Sequence, residues 1–273
     1  MTHFNYVPKF PLGQFIALLT YYKNYIPGHS IDRYLPNGNI EIIIDLTNTP
    51  KYVYDNDTLL EKQACKRVWI SGMRDNFITI PSGLDAEMMI IEFKKGMVYP
   101  FLGMPVTEIT GKIIDADLIL DKVFTEIREK LPEQKSAGDM FLTVEQMLLK
   151  KFSNQLTINP FVSYAVNQIS AGPQNLTIKN IAGKTGYSSK HFIKIFSTEV
   201  GVTPKLFLRI LRFQKVIQQI ESGKNINWTA LAIECGYYDQ AHFISDFKNF
   251  SGFTPLEYLK LKNSEFINYL PVQ

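Results

Sequence analysis

The sequence predicts an α+β fold in two parts: a β-rich N-terminal domain with flanking helices, then an all-helical C-terminal domain. Three observations carry this. Short β-rich runs between Ile31 and about Ile114 give way, from Asp117 onward, to a 3.6-residue apolar period. Charge divides unevenly: residues 173–273 hold 12 Lys and Arg against 7 Asp and Glu, while residues 1–172 hold 17 against 19. The last third also repeats itself. With 273 residues and 45% hydrophobic content, the chain is long and apolar enough to bury a sizeable core.

Composition excludes several classes. Cys65 and Cys235 are too few for a disulfide scaffold or a four-thiolate zinc site, and they fit a reducing compartment. Apolar runs such as Ile42 to Ile44 and Met88 to Ile91 fall far short of a membrane span. The opening, Met1 to Pro8, lacks a basic region followed by an apolar stretch. A cytoplasmic protein with no membrane partner is expected.

Taken in order, Gly13 to Tyr25 has helical spacing through Phe15, Leu18, Leu19 and Tyr22, which predicts an early helix. Gly38 to Leu46 reads as a turn and a mostly buried strand. Further strands are expected at Lys51 to Tyr54, Val68 to Ile70, Phe77 to Ile80 and Met88 to Phe93. Pro36-Asn37-Gly38 and Pro81-Ser82-Gly83 punctuate them. Leu118, Val123, Ile127 and Leu131 predict one helix ending near Pro132, and Leu142 to Phe152 a second. Asn159-Pro160 fits an N-cap followed by proline at the first helical position. The expected divisions are residues 1–116, a helical connector at 117–155, a C-terminal domain at 156–262 and a tail at 263–273.

The repeat relates residues 181–204 to residues 231–255. Ala182, Gly186 and Tyr187 recur 50 positions later as Ala232, Gly236 and Tyr237. His191, Phe192, Phe196, Gly201, Thr203 and Pro204 recur 51 later as His242, Phe243, Phe247, Gly252, Thr254 and Pro255. Each copy has the logic of a helix-turn-helix. A short helix (Leu176 to Lys184, Trp228 to Glu234) begins, in the first copy, at a Thr177 cap. A glycine takes the turn, because it tolerates positive φ. A polar cap, Ser188 or Asp239, starts the second helix. Phenylalanines form that helix's buried stripe, and a glycine ends it before Thr-Pro opens the next.

The two copies resemble the paired DNA-binding motifs of AraC/XylS-type bacterial transcription regulators. The second matches through Ala232, Gly236-Tyr237, Asp239 to Phe243, Phe247-Lys248, Gly252, Thr254-Pro255 and Tyr258. The first matches through Ala182, Gly186 to Ser188, Phe192, Phe196, Glu199, Gly201 and Thr203-Pro204, and the joining helix through Phe207 to Arg212, ending at Ser222-Gly223. More loosely, Leu35 to Ile43, Glu92 to Met97 and Gly103 to Val106 resemble a poorly characterised domain often fused to such modules. The resemblance implies a cupin-like barrel at residues 1–116 that binds an effector or dimerises, and a DNA-binding domain at residues 156–262. It also implies double-stranded DNA and RNA polymerase as partners, a small-molecule effector, a homodimer, and no catalytic, cofactor or metal site.

The resemblance further implies that one chain places two recognition helices in successive major grooves, roughly 34 Å apart. Helical geometry then sets Ser189, Lys190, Ile193, Lys194 and Ser197 opposite the buried stripe of the first unit. Ile193 either touches thymine methyls or packs at the unit's edge. In the second unit the corresponding candidates are Tyr238, Gln240, Ala241, Ile244, Ser245 and Lys248, with Gln240 suited to adenine. Many family members carry Arg in this helix, whereas this chain has Ser245 followed by Asp246, which would repel phosphate if it faced DNA. Arg212 either contacts phosphate or pairs internally with Glu199, and Arg209 has the same two readings. His191 and His242 read as structural or phosphate-facing.

Three rival readings remain. Lys62, Lys66 and Arg67 around Cys65 would make it a reactive thiol if they lowered its pKa. Tyr21, Tyr22, Tyr25, Tyr34, Tyr52, Tyr54 and Trp69 either form core or line an apolar pocket, in which case the chain is a small-molecule-binding module. An interaction module with weakened DNA binding is the alternative suggested by Ser245 and Asp246. No P-loop, dinucleotide-binding glycine fingerprint, His-Glu-x-x-His or G-x-S-x-G motif is present, so an enzyme is not expected.

Overall fold

The computed structural model describes residues 2–83, 85–172, 177–222, 226–261 and 266–272. Leu176 and Gly223, named above in the first short helix and at the end of the joining helix, lie outside the described residues.

The N-terminal part contributes strands β1 (Thr2–Tyr6), β2 (Ile16–Lys23), β3 (Ile31–Tyr34), β4 (Glu41–Asp45), β5 (Lys51–Tyr54), β6 (Glu61–Cys65), β7 (Val68–Ser71), β8 (Ile78–Pro81), β9 (Glu87–Phe93) and β10 (Ile113–Asp115). Helix α1 (Tyr99–Leu102) lies between β9 and β10. Then come α2 (Ala116–Ile119), α3 (Val123–Lys130) and α4 (Ala137–Phe152). The C-terminal helices are α5 (Pro160–Ala171), α6 (Ile178–Thr185), α7 (Ser189–Val200), α8 (Pro204–Glu221), α9 (Trp228–Glu234), α10 (Gln240–Ser251) and α11 (Pro255–Leu261). The chain then returns to the N-terminal sheets as β11 (Tyr269–Val272).

The strands form two antiparallel sheets, β1-β2-β9-β4-β7-β10 and β11-β3-β8-β5-β6. Side chains alternate across each strand, so both faces of the first sheet are used. Ile42, Ile44, Ile70, Met89 and Ile91 enter the large core shared with the helices. Ile43, Trp69 and Met88 face the second sheet, where they meet Val53 and Cys65. Among the described residues the strands do not close into a cupin-like barrel. At the β6–β10 seam the Gln63 side-chain amide donates to the Ile113 carbonyl (2.8 Å), where a barrel would continue the backbone ladder.

Two expected helices change. Gly13 to Tyr25 is a 3₁₀ turn and then β2, not a helix. Leu19 and Tyr21 face the helical core while Leu18, Thr20 and Tyr22 face the space between the sheets. A strand buried on both faces carries apolar residues at every spacing, and so imitates helical periodicity. The helix expected from Leu118 to Pro132 is broken, because Leu120 is extended and the Asp121 carboxylate accepts from the Val123 amide (3.0 Å) to start α3 afresh. Cys65 is no reactive thiol: burial, with Asp115 adding to it, pushes its pKa up to about 12.

The helical domain is fastened to the sheets at several places. The turn after α7 meets the segment between α1 and β10, where Thr110 Oγ1 donates to the Gly201 carbonyl (2.5 Å). The turn after α10 meets β3 and the start of β8: the Arg33 guanidinium lies between the rings of Phe77 (4.2 Å) and Phe253 (4.3 Å). A side chain at Gly252 would overlap both Arg33 and Phe77, and its φ of +77° already favours glycine. On α8, Gln214 Nε2 donates to the Pro36 carbonyl (2.8 Å) and to Asn268 Oδ1 (2.8 Å). Strand β11 closes the circuit by pairing with β3.

Leu270 is the buried residue of β11, at 1% exposure. Leu270→Ala is expected to lower stability by about 2–4 kcal/mol, the usual cost of a large-to-small core change. Urea unfolding followed by circular dichroism checks it, and an unchanged midpoint would show that β11 is not held in the core.

Candidate nucleic-acid interface

Both helix-turn-helix units form as their residues dictate. In the first, Thr177 Oγ1 accepts from the Asn180 amide (3.2 Å) to start α6, Gly186 turns at φ +76°, and Ser188 Oγ accepts from the His191 amide (3.3 Å) to start α7. In the second, Asn227 Oδ1 accepts from Ala230 (3.1 Å), Gly236 turns at φ +85°, and Asp239 Oδ1 accepts from His242 (2.7 Å). Each such cap contributes about 1 kcal/mol. The repeated histidines have a repeated partner. The His191 ring packs edge-on to Tyr187 (4.8 Å) and the His242 ring edge-on to Tyr237 (5.5 Å), so each ties its helix to its own turn.

Helix α7 buries Phe192, Phe196 and Val200. Ser189, Lys190, Ile193 and Lys194 are exposed on its other side. Lys190 and Lys194, one turn apart, are neighbours there. Ser197 sits differently: it is half-buried, and its hydroxyl is buried with no hydrogen-bond partner among the described residues. Helix α10 buries Phe243, Asp246, Phe247 and Phe250. Gln240, Ala241, Ser245 and Lys248 are exposed, and Tyr238, in the turn, is 90% exposed. Ile244 is half-buried and packs against the core.

Asp246 does not join the exposed face. It is 3% exposed and turned onto α8, where Arg209 Nη2 donates to Oδ1 (2.6 Å) and Nε to both oxygens (3.2 Å). This hydrogen bonding to Asp246 raises the Arg209 pKa. Arg209 therefore works inside the protein, locking α10 to α8. Arg212 is half-buried, and burial lowers its pKa against the opposing charge of Asp246. Of the two readings of Arg212, the pair with Glu199 is not made among the described residues; the Glu199 carboxylate accepts from Asn159 Nδ2 (2.6 Å). Burial raises the Glu199 carboxyl pKa.

A signal for Asp246 was present in the repeat. At the 51-residue offset Asp246 stands where the first unit has Ile195, on the inward flank of Phe196. Positions 243, 246, 247 and 250 also follow the i, i+3, i+4, i+7 pattern of a buried stripe. Sequence reasoning missed the fastening residues Arg33, Thr110, Gln214 and Asn268. Their partners are far away along the chain, and only the repeated Gly201 and Gly252 marked where they dock.

Removing the Asp246 carboxylate leaves Arg209 without its partner. Asp246→Ala is expected to cost about 2 kcal/mol of stability, below the fully buried case because Arg209 keeps contact with water. Chemical denaturation measures it, and a change of less than about 0.5 kcal/mol would place this pair among ordinary surface contacts.

Residues 176–261 match the family model of a helix-turn-helix domain, and residues 4–115 match that of a domain of unknown function, DUF6597. An uncharacterised HTH-type transcriptional regulator of Haemophilus influenzae is 34% identical over 89 residues, which are 32% of this chain and 30% of the relative. The uncharacterised HTH-type transcriptional regulator YbfI of Bacillus subtilis is 28% identical over 127 residues, 43% of this chain and 46% of the relative. The chain thus spans about a third and about half of the lengths of these relatives. Among solved structures, a probable AraC family transcriptional regulator from Rhodopseudomonas palustris is similar at 28% identity. That match covers 37% of this chain and 96% of the other, with a TM-score of 0.35. By these matches the chain carries a C-terminal helix-turn-helix domain and an N-terminal DUF6597 domain.

Proposed function

We propose that the protein is a cytoplasmic, sequence-specific DNA-binding transcription regulator rather than an enzyme, and that α7 and α10 read two successive major grooves of double-stranded DNA. The observation that carries this reading is the pair of equivalent, fully capped helix-turn-helix units on one chain. Each buries its phenylalanine stripe and leaves the opposite side of its second helix to solvent. Ser189, Lys190, Ile193 and Lys194 form the first contact set. Gln240, Ala241, Ser245, Lys248 and the neighbouring Tyr238 form the second, with Ser197, Ile244 and Arg212 at the margins. Lysines donate to phosphate or guanine, Gln240 to adenine, and Ile193 meets thymine methyls.

In this reading residues 156–262 bind DNA and residues 1–116, through the connector at 117–155, control them. The N-terminal domain holds an effector and the contact with a second copy, and bound DNA is presented to RNA polymerase. The rival interaction-module reading drew on Ser245 and Asp246, and the engagement of Asp246 with Arg209 removes the second of these two supports.

Lys194 is exposed at the centre of the first contact set. Lys194→Ala is expected to weaken DNA binding and to reduce the slope of log affinity against log salt by about 0.9, the value for one lost phosphate contact. Fluorescence anisotropy titrations at several salt concentrations measure both. Unchanged affinity and slope would remove Lys194 from the interface.

A further inference from the structure

A cavity of about 670 Å³ lies between the two sheets, within the range of small-molecule sites. Five of the seven aromatics singled out in the sequence, Tyr22, Tyr25, Tyr34, Tyr52 and Trp69, line it. Its wall is completed from the far end of the chain, by Phe266 to Tyr269. Nothing in the helix-turn-helix assignment accounts for this space.

Of the charged side chains that line the cavity, Asp32, Glu41 and Glu92 are acidic and Lys51 is basic. Glu41 and Glu92 are direct cross-strand partners on β4 and β9, so both carboxylates stand on the cavity face of the first sheet. Like charges directly opposed across a ladder are destabilising on their own. Burial raises both carboxyl pKa values. The charges of Lys95 and Arg74 oppose that of Glu41, and Lys95 also opposes Glu92, but neither of these two cations lines the cavity. Lys95 Nζ donates to Asn39 (2.6 Å), Lys51 Nζ donates to Thr47 and to the Asp85 carbonyl, and Arg74 is buried with its Nη2 on Ser71. Asp32, the other acid of the lining, is bonded to Ser82 and His29. An anionic ligand would meet Glu41 and Glu92. A cationic one would meet them together with aromatic faces, which attract ammonium groups.

The carboxylate end of the cavity also touches the helical domain. The Tyr34 hydroxyl donates to Glu41 (2.6 Å), and the Tyr34 ring packs on Tyr269 (4.8 Å). Next to Tyr269, Asn268 accepts from Gln214 of α8 through its side chain and from the Leu35 amide through its carbonyl (2.9 Å). Helix α8 joins the two helix-turn-helix units.

We propose that the cavity binds a small organic amine with an aromatic body, its ammonium at Glu41 and Glu92 and its ring among Tyr22, Trp69 and Tyr269, and that Tyr269 and Asn268 transmit its presence to α8. The second half rests on the reading of the protein as a DNA-binding regulator; the first half does not.

Isothermal titration of the full-length protein with three probes sharing one ring system tests the first half: tryptamine, the neutral tryptophol, and the anionic indole-3-propionate. Tryptamine is expected to bind about tenfold or more tightly than tryptophol, and indole-3-propionate more weakly than both. The Glu41→Gln, Glu92→Gln double variant keeps the shape of both side chains and is expected to lose that preference. If the double variant fails to fold, Glu92→Gln alone is read for a partial loss. Equal affinities, a preference that survives substitution, or no binding by any probe would overturn the assignment. For the second half, tryptamine is expected to change DNA affinity in the wild-type protein and not in the variant. DNA binding indifferent to bound tryptamine would overturn the coupling. Tryptamine binding in a protein that never binds DNA would leave the amine site standing and sink the regulator reading.

Discussion

The arrangement of the helical domain depends on how the turns that end α7 and α10 are seated on the N-terminal sheets. Gly201 and Gly252 occupy equivalent places in the two units, and at each turn a backbone carbonyl accepts from a sheet-domain side chain, Gly201 from Thr110 and Ser251 from Arg33. Arg33 is the tighter constraint. Its guanidinium is held between one aromatic ring from each domain, a geometry that a cation keeps even when partly screened from water. With both units anchored at the same point of their own architecture, their relative placement is a property of the whole chain and not of α8 alone. A change in the sheets therefore has a mechanical route to both α7 and α10.

The second unit carries a further restraint. Asp246 spends its charge on Arg209 within the protein, so the exposed side of α10 is an uncharged stretch at Gln240, Ala241 and Ser245, followed by Lys248. The first unit offers Lys190 and Lys194. The two faces thus differ in chemistry: the first is suited to phosphate and guanine, the second to adenine and to close approach through small side chains.

Much of the helical domain was legible in the sequence because caps, turns and stripes are local. Thr177, Ser188, Asn159 and Asp239 act on amides two or three residues ahead, and glycine at 186, 201, 236 and 252 meets a positive φ. The strands at 41–45, 51–54, 68–71, 78–81 and 87–93 were legible from their β-rich runs between turn signals. What was not legible is what depends on distant partners. Strand β2 looked helical because the cavity gives it a second apolar face. Strand β11 looked like a tail because its partner, β3, lies more than two hundred residues earlier. Open sheets rather than a barrel, and the acidic pair at the cavity, follow from a register that no local pattern encodes. The direction of Asp246 was encoded, in the offset that aligns it with Ile195.

The central claim is that one chain reads two grooves with two unlike faces. Selection of genomic DNA fragments by the purified full-length protein, repeated at two salt concentrations, tests it most directly. The account predicts an enriched motif with two elements about one helical turn apart that survives the higher salt, because base contacts outlast screened phosphate contacts. Enrichment of no motif, with binding lost uniformly as salt rises, would contradict it.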